Sequence, residues 1–195
     1  MKIAGVWSGH DCSFCVLENG IPTVHAEYER YIREKEPAGD SVQFLLDEYK
    51  ECQDIKHFAT CHPVNKIEQH PKSHKELLSI SEKNKGQLHI FGHHQSHAAN
   101  AFFSSNHDEA LIITIDGGGW ESENFSTAFT IWKGAANKIE HIMSVPIDQV
   151  NIGGVWTRAT RYIFNLQSGY PRGHQAGTVM AMAAVGNPAK YEKDF

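Results

Sequence analysis

Apolar and polar positions alternate with a period close to two through the opening third of the chain, and turn residues punctuate the alternation. Lys2 to Trp7, Cys12 to Leu17 and Ile21 to Tyr28 are separated by Ser8-Gly-His-Asp-Cys-Ser13 and by Glu18-Asn-Gly20. This pattern predicts a three-stranded antiparallel meander. A charge-dense stretch from Glu27 to Lys35 follows, then Pro37-Ala-Gly39. Phe44, Leu45 and Glu48 fall at helical spacing between Ser41 and Tyr49, with Asp40 or Ser41 available as a cap. Ile55 to Cys61 reads as a fourth strand, so the order is βββαβ. His62 to Lys85 is polar, with a helix around His74 to Ser81, and Leu88 to Phe91 is a short strand leading into a helix that carries His93. Ala110 to Ile115 reads as a buried strand ending in Asp116 and the turn Gly117-Gly118-Gly119. Ser126 to Lys133 and Lys138 to Ser144 read as a hairpin around Gly134-Ala-Ala-Asn137. From Asn151 the composition changes. A helix opened by Gly153-Gly154 runs to Phe164, a loop spans Gly169 to His174, and an Ala- and Met-rich helix spans Gln175 to Val185. The predicted organisation is an α/β lobe over residues 1–150 and a helical extension over 151–195, the start of a second lobe.

The composition narrows the partners. A chain of 195 residues that is 41% hydrophobic can bury a core. Its net charge of -5 provides no basic footprint for duplex nucleic acid. No charged-then-apolar leader and no apolar run of spanning length occurs, so the expected location is the cytoplasm. Cys12, Cys15, Cys52 and Cys61 make no convincing disulfide framework. Cys12-x-x-Cys15 lies in a predicted strand, where positions 12 and 15 point to opposite faces, so core or edge thiols are expected.

The candidate chemistry lies in Phe91-Gly-His-His-Gln-Ser-His-Ala-Ala-Asn-Ala-Phe-Phe103. In a helix, His93 and His97 project from one face and can grip one metal ion. With 13 histidines in the chain, some such pairs arise by chance. The small residues Ala98, Ala99 and Ala101 let this helix press against a sheet. Asp116, at the end of the following strand, can supply an oxygen ligand, and the three glycines leave N–H groups free to face an anion. A zinc-protease reading fails because His94 stands where its glutamate would be. His70 and His74 share the spacing, but Pro71 would interrupt the helix they need. The first turn, with Ser8, His10, Asp11 and Ser13, suits a phosphate or is an ordinary Asx turn.

The residues Gly9-His-Asp-Cys-Ser13, Glu27-x-Glu-Arg30 with Arg33 and Lys35, and His93-His-Gln-Ser-His-Ala98 carry a family resemblance. So do Thr114-Ile-Asp-Gly-Gly-Gly119, Gly153-Gly154 and Gly177-Thr-Val-Met-Ala-Met-Ala183 before Gly186. Together they resemble the amino-terminal part of the metal-dependent O-carbamoyltransferases of the nodulation-factor and antibiotic-tailoring type, within the actin-like ATPase superfamily. The resemblance implies an actin-like, ribonuclease H-like lobe with a mixed five-stranded sheet. It implies a divalent ion on His93, His97 and Asp116, iron foremost with zinc or manganese as alternatives, and a catalytic His10 near the carbamoyl group. It places nucleotide phosphate near Asp11, Ser13, Gly117, Gly118 and Gly119. In such enzymes carbamoyl phosphate and ATP yield a carbamoyl-adenylate, whose carbamoyl group passes to an acceptor hydroxyl on a small molecule.

Against that family the chain ends at Phe195, before a second lobe, a further acidic ligand and an adenylate-forming domain, and Gln175 and Thr178 replace charged residues. The expectation is a half-site that is inactive alone and needs a C-terminal portion or partner chain. An exposed apolar patch around Val155, Trp156, Tyr162, Ile163 and Phe164 would favour homo-oligomers. The alternatives are a kinase-like or ATP-hydrolysing lobe, in which Asp116 holds magnesium, and a non-catalytic interaction module. Paired imidazoles separate the first from the kinase, because magnesium prefers oxygen.

Overall fold

A computed structural model of the chain describes residues 1–8, 11–34, 41–50, 54–61, 72–166 and 175–190. Strands β1 (Lys2–Trp7), β2 (Ser13–Glu18) and β3 (Ile21–Glu27) form the antiparallel meander. Its tight turn is set by Asn19 and Gly20, which both take positive φ, as a two-residue hairpin turn requires. Strands β4 (His57–Cys61) and β5 (Gln87–Phe91) add in parallel, giving the order β3-β2-β1-β4-β5. This is the mixed five-stranded sheet, opened by an antiparallel meander, that the resemblance implies.

Alternation along the strands sends Ala4, Val6, Phe14, Val16, Ala26 and Phe58 to one face of the sheet. There they meet Phe44 and Leu45 of α2 (Ser41–Glu48) and Leu77 of α3 (Lys72–Lys83). Phe14 and Phe44 pack edge to face with ring centres 5.2 Å apart. Each large side chain fully buried here contributes about 1.5–3 kcal/mol, which makes this face the main source of stability in the lobe. The opposite face carries Trp7, Cys15, His57, Cys61 and His89, all only half-buried. A short helix, α1 (Tyr28–Ile32), follows β3 and ends on Arg33 in the left-handed conformation. Cys12 is buried just before β2, and Cys12, Cys15 and Cys61 form no disulfide among the described residues.

A second sheet follows: β6 (Glu109–Ser122), β7 (Phe125–Ala135) and β8 (Lys138–Pro146), all antiparallel. It corrects two expectations. Ala110 to Ile115 is not buried on both faces, because Leu111, Ile113 and Ile115 are 65%, 53% and 52% exposed while Ile112 and Thr114 point inward. Nor do Gly117 to Gly119 form a turn. The strand runs through them to Ser122 with a shift of register between Ile115 and Gly119.

Helix α4 (His93–Phe103) packs on the inner face of this second sheet, where Ala98, Phe102, Ile112 and Trp132 form a second core. Gly134 admits the Phe102 ring, which a Cβ at that position would overlap. After β8 come α5 (Ile152–Arg158) and α6 (Ala176–Ala183). The single helix predicted up to Phe164 instead widens into a π-helix over Ala159–Ile163. Its wider ring closes with Phe164 N–H donating to Ala159 O at 3.2 Å. Val155, Tyr162, Ile163 and Phe164 are exposed, and Trp156 is half-buried. No described helix is long and apolar enough to cross a membrane.

Candidate metal centre

The site begins with how α4 is started. Gly92 is the N-cap and has no side chain to offer the free N–H groups of the first turn. Glu121 of β6 supplies what is missing: its carboxylate accepts from His94 N–H and, at 3.3 Å, from Gln95 N–H. A carboxylate on a helix N-terminus is also favoured by the helix dipole. A Cβ on Gly92 would overlap that carboxylate, so glycine is needed for the approach. Gln95 Oε1 accepts from Gly92 N–H, and Ser96 Oγ donates to Gly92 O at 2.9 Å.

His94 is fully buried and forms the spine between α4 and the second sheet. Trp132 Nε1–H donates to Thr130 Oγ1, whose hydroxyl lies 2.6 Å from Thr114 Oγ1, which in turn lies 2.6 Å from His94 Nδ1. His94 Nε2 lies 3.0 Å from the carbonyl oxygen of Thr127 and must donate to it. The protons therefore run in one direction, and the network assigns His94 as the neutral Nε2–H tautomer. Burial, assisted by the charge of His93, pushes its pKa below the ordinary 6.5. His94, His93 and Asp116 lie close enough to be taken for a ligand trio. Both nitrogens of His94 are engaged, however, so it has no lone pair for an ion.

His93 and His97 meet Asp116 instead. His93 Nε2 lies 2.5 Å and His97 Nε2 3.4 Å from Asp116 Oδ2, and the two imidazole nitrogens are 3.1 Å apart. The helix places both rings on one face, and the strand brings the carboxylate to them. Asp116 Oδ1 also accepts from Gly117 N–H. The His93 and His97 rings beside Asp116 hold its carboxyl well below the usual carboxylate range, and the Asp116 carboxylate raises the pKa of His97. With histidine and carboxylate bonds of about 2.0–2.2 Å, ligand atoms around one ion stand roughly 3.0–3.5 Å apart. Two of the three separations already fit, and the His93–Asp116 contact has to open by about half an ångström. His97 is half-exposed, which leaves room for further ligands.

The glycines serve this geometry. A Cβ on Gly119 would overlap the His93 ring, and one on Gly118, whose φ is +129°, would meet the Ile147 side chain. A Cβ on Gly153 of α5 would overlap the backbone of Asp116 and Gly117, so α5 seats directly on the carboxylate's strand. Asn151 caps α5 by accepting from Gly154 N–H at 2.6 Å. Among the predicted phosphate-binding residues, Gly117 alone of the three glycines faces open space. Asp11 is exposed with φ 57°, and Ser13 opens β2. His10, Cys52, His70 and the loop over 169–174 lie outside the described residues. A cleft of about 400 Å³ lies between the first sheet and α4, with Trp7, Ser13, Cys15, Cys61, Ser96 and Asn100 among its walls. The ends of β1 and β2 that carry the first turn thus open toward α4. Burial raises the pKa of the Cys15 and Cys61 thiols there.

Residues 64–193 match the model of the family described as Carbamoyltransferase N-terminus. The chain belongs to the carbamoyltransferase N-terminus family. The match takes in α4, β5 of the first sheet, the whole of the second sheet, and α5. The chain is also similar to uncharacterized protein sll1178 of Synechocystis sp., with 30% identity over 119 residues. That alignment spans 60% of this chain and 17% of the relative's length. The crystal structure of HypF from T. kodakarensis superposes with a TM-score of 0.52 at 15% identity, over 74% of this chain and 18% of that one, and shares its fold. YeaZ from Pseudomonas aeruginosa gives a TM-score of 0.47 at 9% identity, over 78% and 72% of the two chains.

Proposed function

We propose that this carbamoyltransferase N-terminal chain forms the metal-binding lobe of an enzyme that transfers a carbamoyl group from carbamoyl-adenylate to an acceptor hydroxyl. The convergence of His93, His97 and Asp116 within 3.4 Å is the observation that carries the reading. Two imidazoles and a carboxylate suit iron, zinc or manganese, and when bound such an ion polarises a carbonyl oxygen. Iron is the first candidate. The chain's own residues do the rest. Glu121 fixes the start of α4, His94 locks its rotation, and Gly119 sets the height of the His93 ring.

In the transfer itself, the acceptor oxygen forms a bond to the carbamoyl carbon and the bond from that carbon to the adenylate oxygen breaks. The hydroxyl proton passes to His10, the proposed base, and AMP leaves. The cleft that Trp7 at the end of β1 and Ser13 at the start of β2 share with α4 supports a role for His10 beside the metal site. Asp11, Ser13 and the N–H groups of Gly117 to Gly119 are proposed to face the nucleotide phosphate, with Gly117 the most open of the glycines. Carbamoyl phosphate, ATP and a hydroxylated small molecule are the proposed substrates.

The test is an assay of the intact enzyme with carbamoyl phosphate, ATP, a divalent ion and a panel of alcohols, read by mass spectrometry. Carbamoylated alcohol is expected, and its formation should fail in His97→Ala and in His10→Ala. Turnover that survives both substitutions would overturn the assignment.

A further inference from the structure

A second pair of imidazoles converges on the face of the first sheet that carries Cys15 and Cys61 and also lines the α4 cleft. His57 of β4 and His89 of β5 sit on adjacent parallel strands, with Ala59 paired to His89 and His57 to Gln87. Their side chains therefore leave the same face, and His57 Nδ1 lies 3.2 Å from His89 Nε2. The rings are tilted by 31° with centres 5.4 Å apart, and Phe91 stacks against His89 on its other side. Both are half-buried, so the rings are held in place yet reachable from solvent.

We infer that His57 and His89 form a second site for a divalent transition metal ion, independent of His93, His97 and Asp116. The separation carries the argument. With metal–nitrogen bonds of about 2.05 Å, nitrogens at this distance subtend roughly 100° at an ion, between the octahedral and tetrahedral angles. The helical pair offers nearly the same bite, 3.1 Å between His93 and His97. Here a parallel ladder fixes it rather than a helical turn. An apo pair of neutral imidazoles satisfies one N–H and one lone pair between them. An ion replaces that single hydrogen bond with two coordinate bonds and leaves its remaining positions to water or a small ligand. Two nitrogen donors select nickel, copper or zinc over magnesium or calcium, which prefer oxygen.

Calorimetric titration of the His93→Ala/His97→Ala variant with zinc and with nickel tests this, because the first site is then removed. One ion should bind per chain. Adding His89→Gln should weaken that binding by more than the roughly 10–100-fold that loss of an outer-shell partner costs, and His57→Gln should do the same. Both positions are half-buried at the sheet face, and thermal unfolding without metal checks that each variant folds. Should one fail to fold, the other carries the test. No binding in the double variant, or binding unchanged by either glutamine, would overturn the inference. Neither result bears on the first site, which is read from the wild-type stoichiometry.

Discussion

Gly119 on β6 lies against the ring of His93 on α4, so closely that a Cβ there would overlap the imidazole. A residue without a side chain on one element thus sets the position of a proposed ligand on another. Gly119→Ala should push His93 away from Asp116. The strain should cost about 1–3 kcal/mol of stability and metal affinity should fall by about tenfold or more. Denaturant unfolding and calorimetric metal titration measure the two effects. Unchanged affinity would show that His93 does not need that seat.

Glu121 replaces the side-chain cap that Gly92 lacks. Glu121→Ala should cost about 1–2 kcal/mol, as loss of a good N-cap does. Glu121→Gln should cost less, since an acceptor oxygen remains. Hydrogen exchange at the His94 and Gln95 amides should accelerate most in the alanine variant. Exchange unaltered in both variants would remove Glu121 from the helix start.

The three histidines of α4 should separate by stability. His94→Ala empties a buried site and strands Thr114 and the Thr127 carbonyl, at a cost of about 2–5 kcal/mol. Without metal, His97→Ala should cost less than about 1 kcal/mol, because the side chain is half-exposed. Urea denaturation of the two variants decides it, and equal costs would contradict the network.

Metal-free stability should depend on pH through the same cluster. His97 has a raised folded pKa, so its contribution is complete below the unfolded value of 6.5 and fades as pH rises through the folded one. Asp116 has a depressed folded pKa, so its contribution is present above 3.8 and is lost as pH falls through the folded value. The difference in melting temperature between wild type and His97→Gln should therefore be largest between about pH 4 and 6.5 and vanish in alkali. A difference that grew with rising pH would contradict the ion pair.

The sequence foretold the parts whose causes are local. Alternation and the Asn19-Gly20 turn announce the meander, and the spacing of His93 and His97 places both rings on one side of a helix. The parts it concealed depend on register between distant elements. Gly117 to Gly119 resemble a turn in isolation. They are instead a place where His93, Ile147 and Gly153 come close to one strand. Glu121 carries no motif, and its role appears only once β6 passes the start of α4. His94 stood out only as the wrong residue for a protease, whereas its partners Thr114, Thr127, Thr130 and Trp132 lie up to 38 positions away. Leu111, Ile113 and Ile115 form an apolar run that suggests burial on both sides, yet the described chain covers only one side of β6.

The most direct test of the metal centre is the ion content of the purified protein. Iron, zinc and manganese per chain would be measured for His89→Gln and for His89→Gln/His97→Ala, a background that removes the second histidine pair. One tightly held ion in the first protein and its loss in the second is the result predicted for His93, His97 and Asp116 acting together. Equal metal content in the two proteins would contradict it.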